Sequence, residues 1–229
     1  MKAKTHLRLL KKLTTQLSKM LFKICGLKNK ESLFCCEENN VDFFGMIFYE
    51  KSPRNVTLNE AKTLINTSKE LRIKPVGVFV DNEINNLKKI ISSLGLQYIQ
   101  LHGSEDQSYI NEIKEQFDIK IIKKISINNS EDLNIINKFK NIEYLLFDYK
   151  PLKYELPGGN SKSFDWNLLK GKEIKLPWFI SGGINEENIK NIQNLLNPNG
   201  IDLSSGVEVS KGIKSNSKIN NLFKKFYDN

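Results

Sequence analysis

The chain has 229 residues, 39% of them hydrophobic and 27% charged, with a formal net charge of +9 and three cysteines. That composition fits one large globular domain or two small ones, and no apolar run approaches the ~18 residues that span a bilayer. Three cysteines, two of them adjacent (Cys35 and Cys36), make neither a disulfide framework nor a CxxC metal spacing, so a reducing interior is the expected setting.

Residues 1–20 read as a basic N-terminal extension. Lys2, Lys4, Arg8, Lys11, Lys12 and Lys19 supply six of the nine net positive charges with no acid among them. The segment has the hydroxyl residues and leucines of a transit peptide but no long apolar core. Met20 stands directly before the first strand and offers an alternative start. The expected location is cytoplasmic, with organellar targeting by residues 1–20 as the alternative. The body carries only +3 of charge, spread along its length, which reads as solvated lysines rather than a nucleic-acid footprint.

From residue 21 to 229 apolar runs rich in Ile, Val and Phe alternate with polar stretches of helical spacing. The predicted strands are 21–25, 42–49, 75–80, 97–101, 120–125, 143–148, 177–181 and 200–204. The predicted helices are 30–39, 58–70, 83–94, 106–117, 130–139, 165–170, 186–196 and 216–227, with caps at Asn29, Thr57, Asn82, Ser104, Ser130, Asn185 and Ser215. Strict alternation of this kind implies parallel strands with right-handed crossovers. The expected fold is an α/β (β/α)8 TIM barrel, a single domain with the short basic extension ahead of it; an open doubly wound sheet is the alternative.

Active sites of such barrels form at the C-terminal ends of the strands. The strand ends here carry Cys25-Gly26, Arg54 in the second loop, His102, Asp148 after an apolar run, Ser181-Gly182-Gly183, and Asp202 followed by Ser204, Ser205 and Gly206. Each has a plain structural reading: a strand cysteine is usually a small core residue, and Asp148 would serve as a cap. Together they converge on one face. The glycine and serine segments "SGGINEEN" and "SSGVE" let backbone N–H groups approach an anion near a helix N-terminus, so a small phosphorylated metabolite is the expected substrate. No GxxxxGK[ST] or GxGxxG occurs, so no nucleotide cofactor is indicated, and no histidine–carboxylate cluster suggests a metal.

The stretches "KICGLKN", "DFFGMIFYEKSPRNVT", "IQLHGSED", "LLFDYK", "PGGNSKSFDW", "FISGGINEENI" and "GIDLSSGVEVSKGIK", in this order over residues 22–214, resemble phosphoribosylanthranilate isomerase of tryptophan biosynthesis. The resemblance implies an Amadori rearrangement of N-(5-phosphoribosyl)anthranilate by general acid and base, with no cofactor. It makes Asp148 the acid, Cys25 the base and Arg54 the holder of the anthranilate carboxylate. Gly26 would leave backbone room beside the sugar. His102 and Asp202 would orient substrate or support the site. An acid working near pH 7 needs its pKa raised, which the apolar run Tyr144 to Phe147 suits; the thiol needs modest lowering, whose source the sequence does not show. No nucleic-acid or membrane partner is expected from the charge distribution and the apolar runs, and the expected state is a monomer or homodimer. Another phosphosugar barrel enzyme, expected to use paired aspartates, and a basic RNA-associated scaffold are the competing readings.

Overall fold

The computed structural model describes residues 20–228. The extension expected over 1–20 therefore lies, Met20 apart, outside the described residues. Eight parallel strands close into a barrel in sequence order: β1 Leu21–Cys25, β2 Phe43–Phe48, β3 Lys74–Phe79, β4 Tyr98–Leu101, β5 Lys120–Ile127, β6 Tyr144–Tyr149, β7 Trp178–Ile180 and β8 Gly200–Leu203. β1 pairs with β8 to complete the ring. This is the expected (β/α)8 barrel, and each predicted strand lies within three residues of its observed limits.

The connections are less uniform than predicted. Helices α1 Lys30–Glu38, α2 Leu58–Ser68, α3 Ile84–Leu94, α4 Gln107–Gln116, α5 Ile189–Leu195 and α6 Asn216–Tyr227 follow β1 to β4, β7 and β8. After β5 and β6 the predicted α-helices are instead 3-10 turns, Ser130–Lys138 and Trp166–Leu169. The first has no fully buried residue, so it lacks the packed stripe from which a helix takes most of its stability. Asn29, Thr57 and Ser215 cap as expected. Glu83, Asp106 and Asn129 replace Asn82, Ser104 and Ser130. Ser104 is otherwise engaged, with both its N–H and hydroxyl donating to Oδ1 of Asp81 (2.7 Å each). Asn185 accepts from the N–H groups of Glu187 and Asn188 in a turn ahead of α5, which starts later than predicted. A short hairpin that the alternation did not suggest, β9 Glu208–Ser210 and β10 Ile213–Lys214, stands between β8 and α6.

Alternate residues of each strand point inward. Phe43, Tyr98, Tyr144 and Phe179 form an aromatic floor in which Phe43–Tyr98 and Tyr144–Phe179 meet edge-on at 5.1 Å. Gly200 yields the space that the Phe179 ring fills, since a Cβ there would stand 2.3 Å from Cε1. Outside the barrel, Ile, Leu and Phe side chains of strands and helices form the larger apolar layer. The floor seals one end, so polar inward residues gather at the other.

Candidate active site

Cys25, Arg54, His102, Asp148, Gly182, Gly183, Asp202, Ser204 and Ser205 line one cleft at the C-terminal mouth of the barrel. Loop residues 156–162, between β6 and β7, close over one side of it. Gly206 is not part of the lining. It packs where a Cβ would come within 1.9 Å of the Ile184 carbonyl, so it joins the β8 loop to the β7 loop.

Asp148 is the penultimate residue of β6, and its Oδ1 accepts from the Tyr149 N–H (2.8 Å). Burial raises its carboxyl to about 6; Lys124 and the Tyr149 N–H oppose this, and Asp202 adds to it. The apolar strand thus has the effect expected of it. His102 is held by the Gln100 side-chain N–H, which donates to Nδ1 (2.7 Å), and its Nε2 stands 3.5 Å from Oδ2 of Asp148. Burial and the surrounding Lys124, Lys23 and Lys123 hold the imidazole well below its ordinary pKa, so it is neutral.

Cys25 ends β1 and is buried. The lowering that a thiol base needs is not supplied by the surroundings of Cys25: burial pushes the thiol up, Asp202 adds to this, and Lys23, Lys214 and Arg54 only partly offset it. Lys23 was not among the expected site residues. It is fully buried inside the barrel, and its Nζ donates to Oδ1 and Oδ2 of Asp202 at 3.0 and 3.1 Å. Burial works against its charge, but Asp202 and Cys25 outweigh that and keep the ammonium protonated. Its signal in the sequence was strand parity: residues 23 and 25 share one face.

Arg54 is also buried, and much of its guanidinium is already bound. Nε and Nη2 donate to the two carboxylate oxygens of Glu208, each at 2.7 Å, and Nη2 reaches the Gly159 carbonyl at 3.4 Å. Lys214 donates to Oε1 of the same carboxylate at 2.7 Å. Burial opposes the Glu208 charge, yet hydrogen bonds from Arg54 and Lys214 hold its carboxyl at about 2. Neither Glu208 nor Lys214 was an expected site residue; both sit on the hairpin that the alternation missed. Gly26 adopts φ +83°, and a Cβ there would lie 2.7 Å from Cδ of Arg54. Its room serves the arginine, which corrects the expectation that it opens space beside a sugar.

The loops after β7 and β8 are shaped by small residues. Gly182 and Gly183 have φ of +90° and +64°. Ser204 Oγ donates to the Cys25 carbonyl (3.2 Å), tying the β8 loop to β1. The backbone N–H groups of Gly182, Gly183, Ser205 and Gly206 make no hydrogen bond among the described residues. No α-helix starts beside Gly182 and Gly183, because α5 begins only at Ile189, whereas a 3-10 turn, Ser205–Val207, starts within the β8 loop and includes Gly206.

A closed barrel with a thiol, a raised carboxyl and unpaired backbone donors at its C-terminal mouth defines a barrel enzyme suited to proton transfer on a small anionic substrate. The family model for N-(5'phosphoribosyl)anthranilate (PRA) isomerase matches residues 22–225. The N-(5'-phosphoribosyl)anthranilate isomerase of Zymomonas mobilis is 40% identical over 199 residues, covering 86% of this chain and 93% of its own. That of Paramagnetospirillum magneticum is 34% identical over 204 residues, covering 88% and 94%. The solved phosphoribosyl anthranilate isomerase of Thermotoga maritima superposes with a TM-score of 0.78 at 31% identity, over 90% of this chain and 98% of that one. A further phosphoribosyl anthranilate isomerase structure, in complex with reduced 1-(o-carboxyphenylamino)-1-deoxyribulose 5-phosphate, gives a TM-score of 0.76 at 28% identity over 90% and 97%. The chain belongs to the N-(5'-phosphoribosyl)anthranilate isomerase family.

Proposed function

We propose that the chain catalyses the Amadori rearrangement of N-(5'-phosphoribosyl)anthranilate to 1-(2-carboxyphenylamino)-1-deoxyribulose 5-phosphate in tryptophan biosynthesis. Residues 21–229 are the catalytic unit, and residues 1–20 are an extension outside it. Beyond family membership, the observation that carries the reading is the pairing of Asp148, raised to about 6, with Cys25 at strand ends of one cleft.

Asp148 protonates the furanose ring oxygen while the nitrogen lone pair forms a C1′ iminium and the C1′–O bond breaks. The Cys25 thiolate then takes the C2′ proton, and that electron pair neutralises the iminium to give an enolamine. Transfer of a proton from the C2′ hydroxyl to C1′ yields the ketone. The enzyme ends with an ionised Asp148 and a neutral Cys25, and exchange with solvent resets both. Each step is a proton transfer, which side chains perform directly.

The anthranilate carboxylate takes the Nη1 side of Arg54, the edge not bound by Glu208. The phosphate takes the backbone N–H groups of Gly182, Gly183, Ser205 and Gly206, which have no hydrogen-bond partner among the described residues. Neutral His102 steadies the ring oxygen beside Asp148, and Asp202 lies beneath the sugar as the anchor of Lys23. The unpaired cysteines suit a reducing cytoplasm.

The test is complementation of a tryptophan auxotroph lacking this isomerase, with turnover of the purified chain. The full chain and a chain starting at Met20 should both restore growth. Cys25→Ala and Asp148→Asn should each lower kcat by at least ~10²–10⁴-fold with little change in binding. Cys35→Ala and Cys36→Ala should leave turnover intact. Failure of the folded full chain to complement or turn over the substrate would overturn the reading.

A further inference from the structure

Burial leaves the Cys25 thiol poorly disposed to ionise, yet the proposed reaction needs a thiolate. Lys23 lies two residues earlier on the same strand, so both side chains enter the barrel on one face. The neighbouring strand places Gly45 directly opposite Cys25. A Cβ at position 45 would stand 2.9 Å from Cys25 Sγ and 3.3 Å from Lys23 Nζ, so the sulfur and the ammonium gather in the space that this glycine leaves. On the other side, Lys23 and Asp202 are register partners across the β1–β8 seam, and the carboxylate receives two of the ammonium's hydrogen-bond contacts. An ammonium has three N–H donors, and the remaining one is left for the sulfur.

We propose that Lys23 is a positioning residue for Cys25: anchored on Asp202, its ammonium donates to Sγ and sustains the thiolate that takes the C2′ proton. The inference rests on the reading of Cys25 as the base. Every charged group facing the thiol bears on it: Lys23 from β1, Asp202 from β8, Lys214 from β10 and Arg54 from the loop after β2. Lys214 and Arg54 share the single carboxylate of Glu208, which offsets one of their two charges. Lys23 is foremost among the groups that favour the thiolate, and Asp202 opposes it.

The two members of the pair should therefore shift the thiol in opposite directions. In the full-length protein, the iodoacetamide alkylation rate of Cys25 is followed against pH by peptide mass spectrometry. Lys23→Met should slow alkylation at pH 7 by about tenfold or more and move its pH midpoint upward. It should lower kcat by a similar factor with KM little changed. Asp202→Asn, which removes the opposing charge, should speed alkylation and move the midpoint downward. An unchanged alkylation profile in folded Lys23→Met would overturn the role of Lys23. If Lys23→Met does not fold, Lys23→Gln takes its place, with the same slowing expected and an unchanged profile overturning the role of Lys23. Full turnover in Cys25→Ala would instead remove the base assignment itself, whereas an inactive Cys25→Ala with unmoved thiol profiles would count against Lys23 only.

Discussion

Arg54 reaches the barrel mouth with its Nε–Nη2 edge already clasped by Glu208, 154 residues further along the chain, through two hydrogen bonds of 2.7 Å. A bidentate clasp of this kind fixes the guanidinium plane, and the Nη1 side faces Gly159, where a Cβ would stand 2.3 Å from Nη1. Glu208 thus sets the orientation of the guanidinium.

Glu208→Gln should raise KM by roughly tenfold while kcat holds, because a charge-assisted bond worth about 1.5–3 kcal/mol is weakened and the guanidinium loses its fixed plane. Arg54→Ala should raise KM by at least as much. Steady-state kinetics of the two variants provides the check. A fall in KM in Glu208→Gln would mean that the glutamate occupies the substrate's place and is displaced by it.

Gly26→Ala should impair the same site from the backbone side. The φ of +83° is unfavourable for a side chain, and the new methyl would press on Arg54 Cδ at 2.7 Å. We expect a stability loss of about 1–3 kcal/mol in denaturant titration. KM should rise more than kcat falls, since the arginine and not the reacting carbons is displaced. A kcat collapse at unchanged KM would contradict the placement of Gly26.

The pH profile should be set by an inverted order of pKa values. Asp148 lies at about 6 and Cys25 above its ordinary thiol value, while turnover needs protonated Asp148 together with ionised Cys25. Below about pH 6 the acid is already fully protonated and the thiolate fraction falls about tenfold per pH unit, so the rate falls toward acid. Between the two pKa values the loss of acid and the gain of thiolate cancel, which gives a plateau. Above the thiol value the rate falls as the acid is lost. The limb near pH 6 in kcat/KM is therefore an acidic limb that reports Asp148, and the basic limb reports Cys25. Agreement between the basic limb and the Cys25 alkylation midpoint checks the order; agreement of the acidic limb with that midpoint would reverse it.

The alternation of apolar runs and helical spacing by itself determined the strand order, because parallel strands with short crossovers leave few topologies. It also placed Cys25, His102, Asp148 and Asp202 at strand ends, and so at one mouth of the barrel. The lengths of the connections were less legible: the segment over Ser130–Lys138 has the residues of a helix but buries none of them fully, and packing rather than propensity decided its form. What surrounds each reactive group was decided only by the tertiary structure. The Lys23–Asp202 pair exists because the first and last strands of the barrel meet in a particular register, across 179 residues of chain. The Arg54–Glu208 clasp exists because a hairpin after β8 folds back over the loop after β2. The pKa order of Asp148 and Cys25 follows from burial and from these distant charges, quantities that belong to distances in space and not to neighbours in sequence.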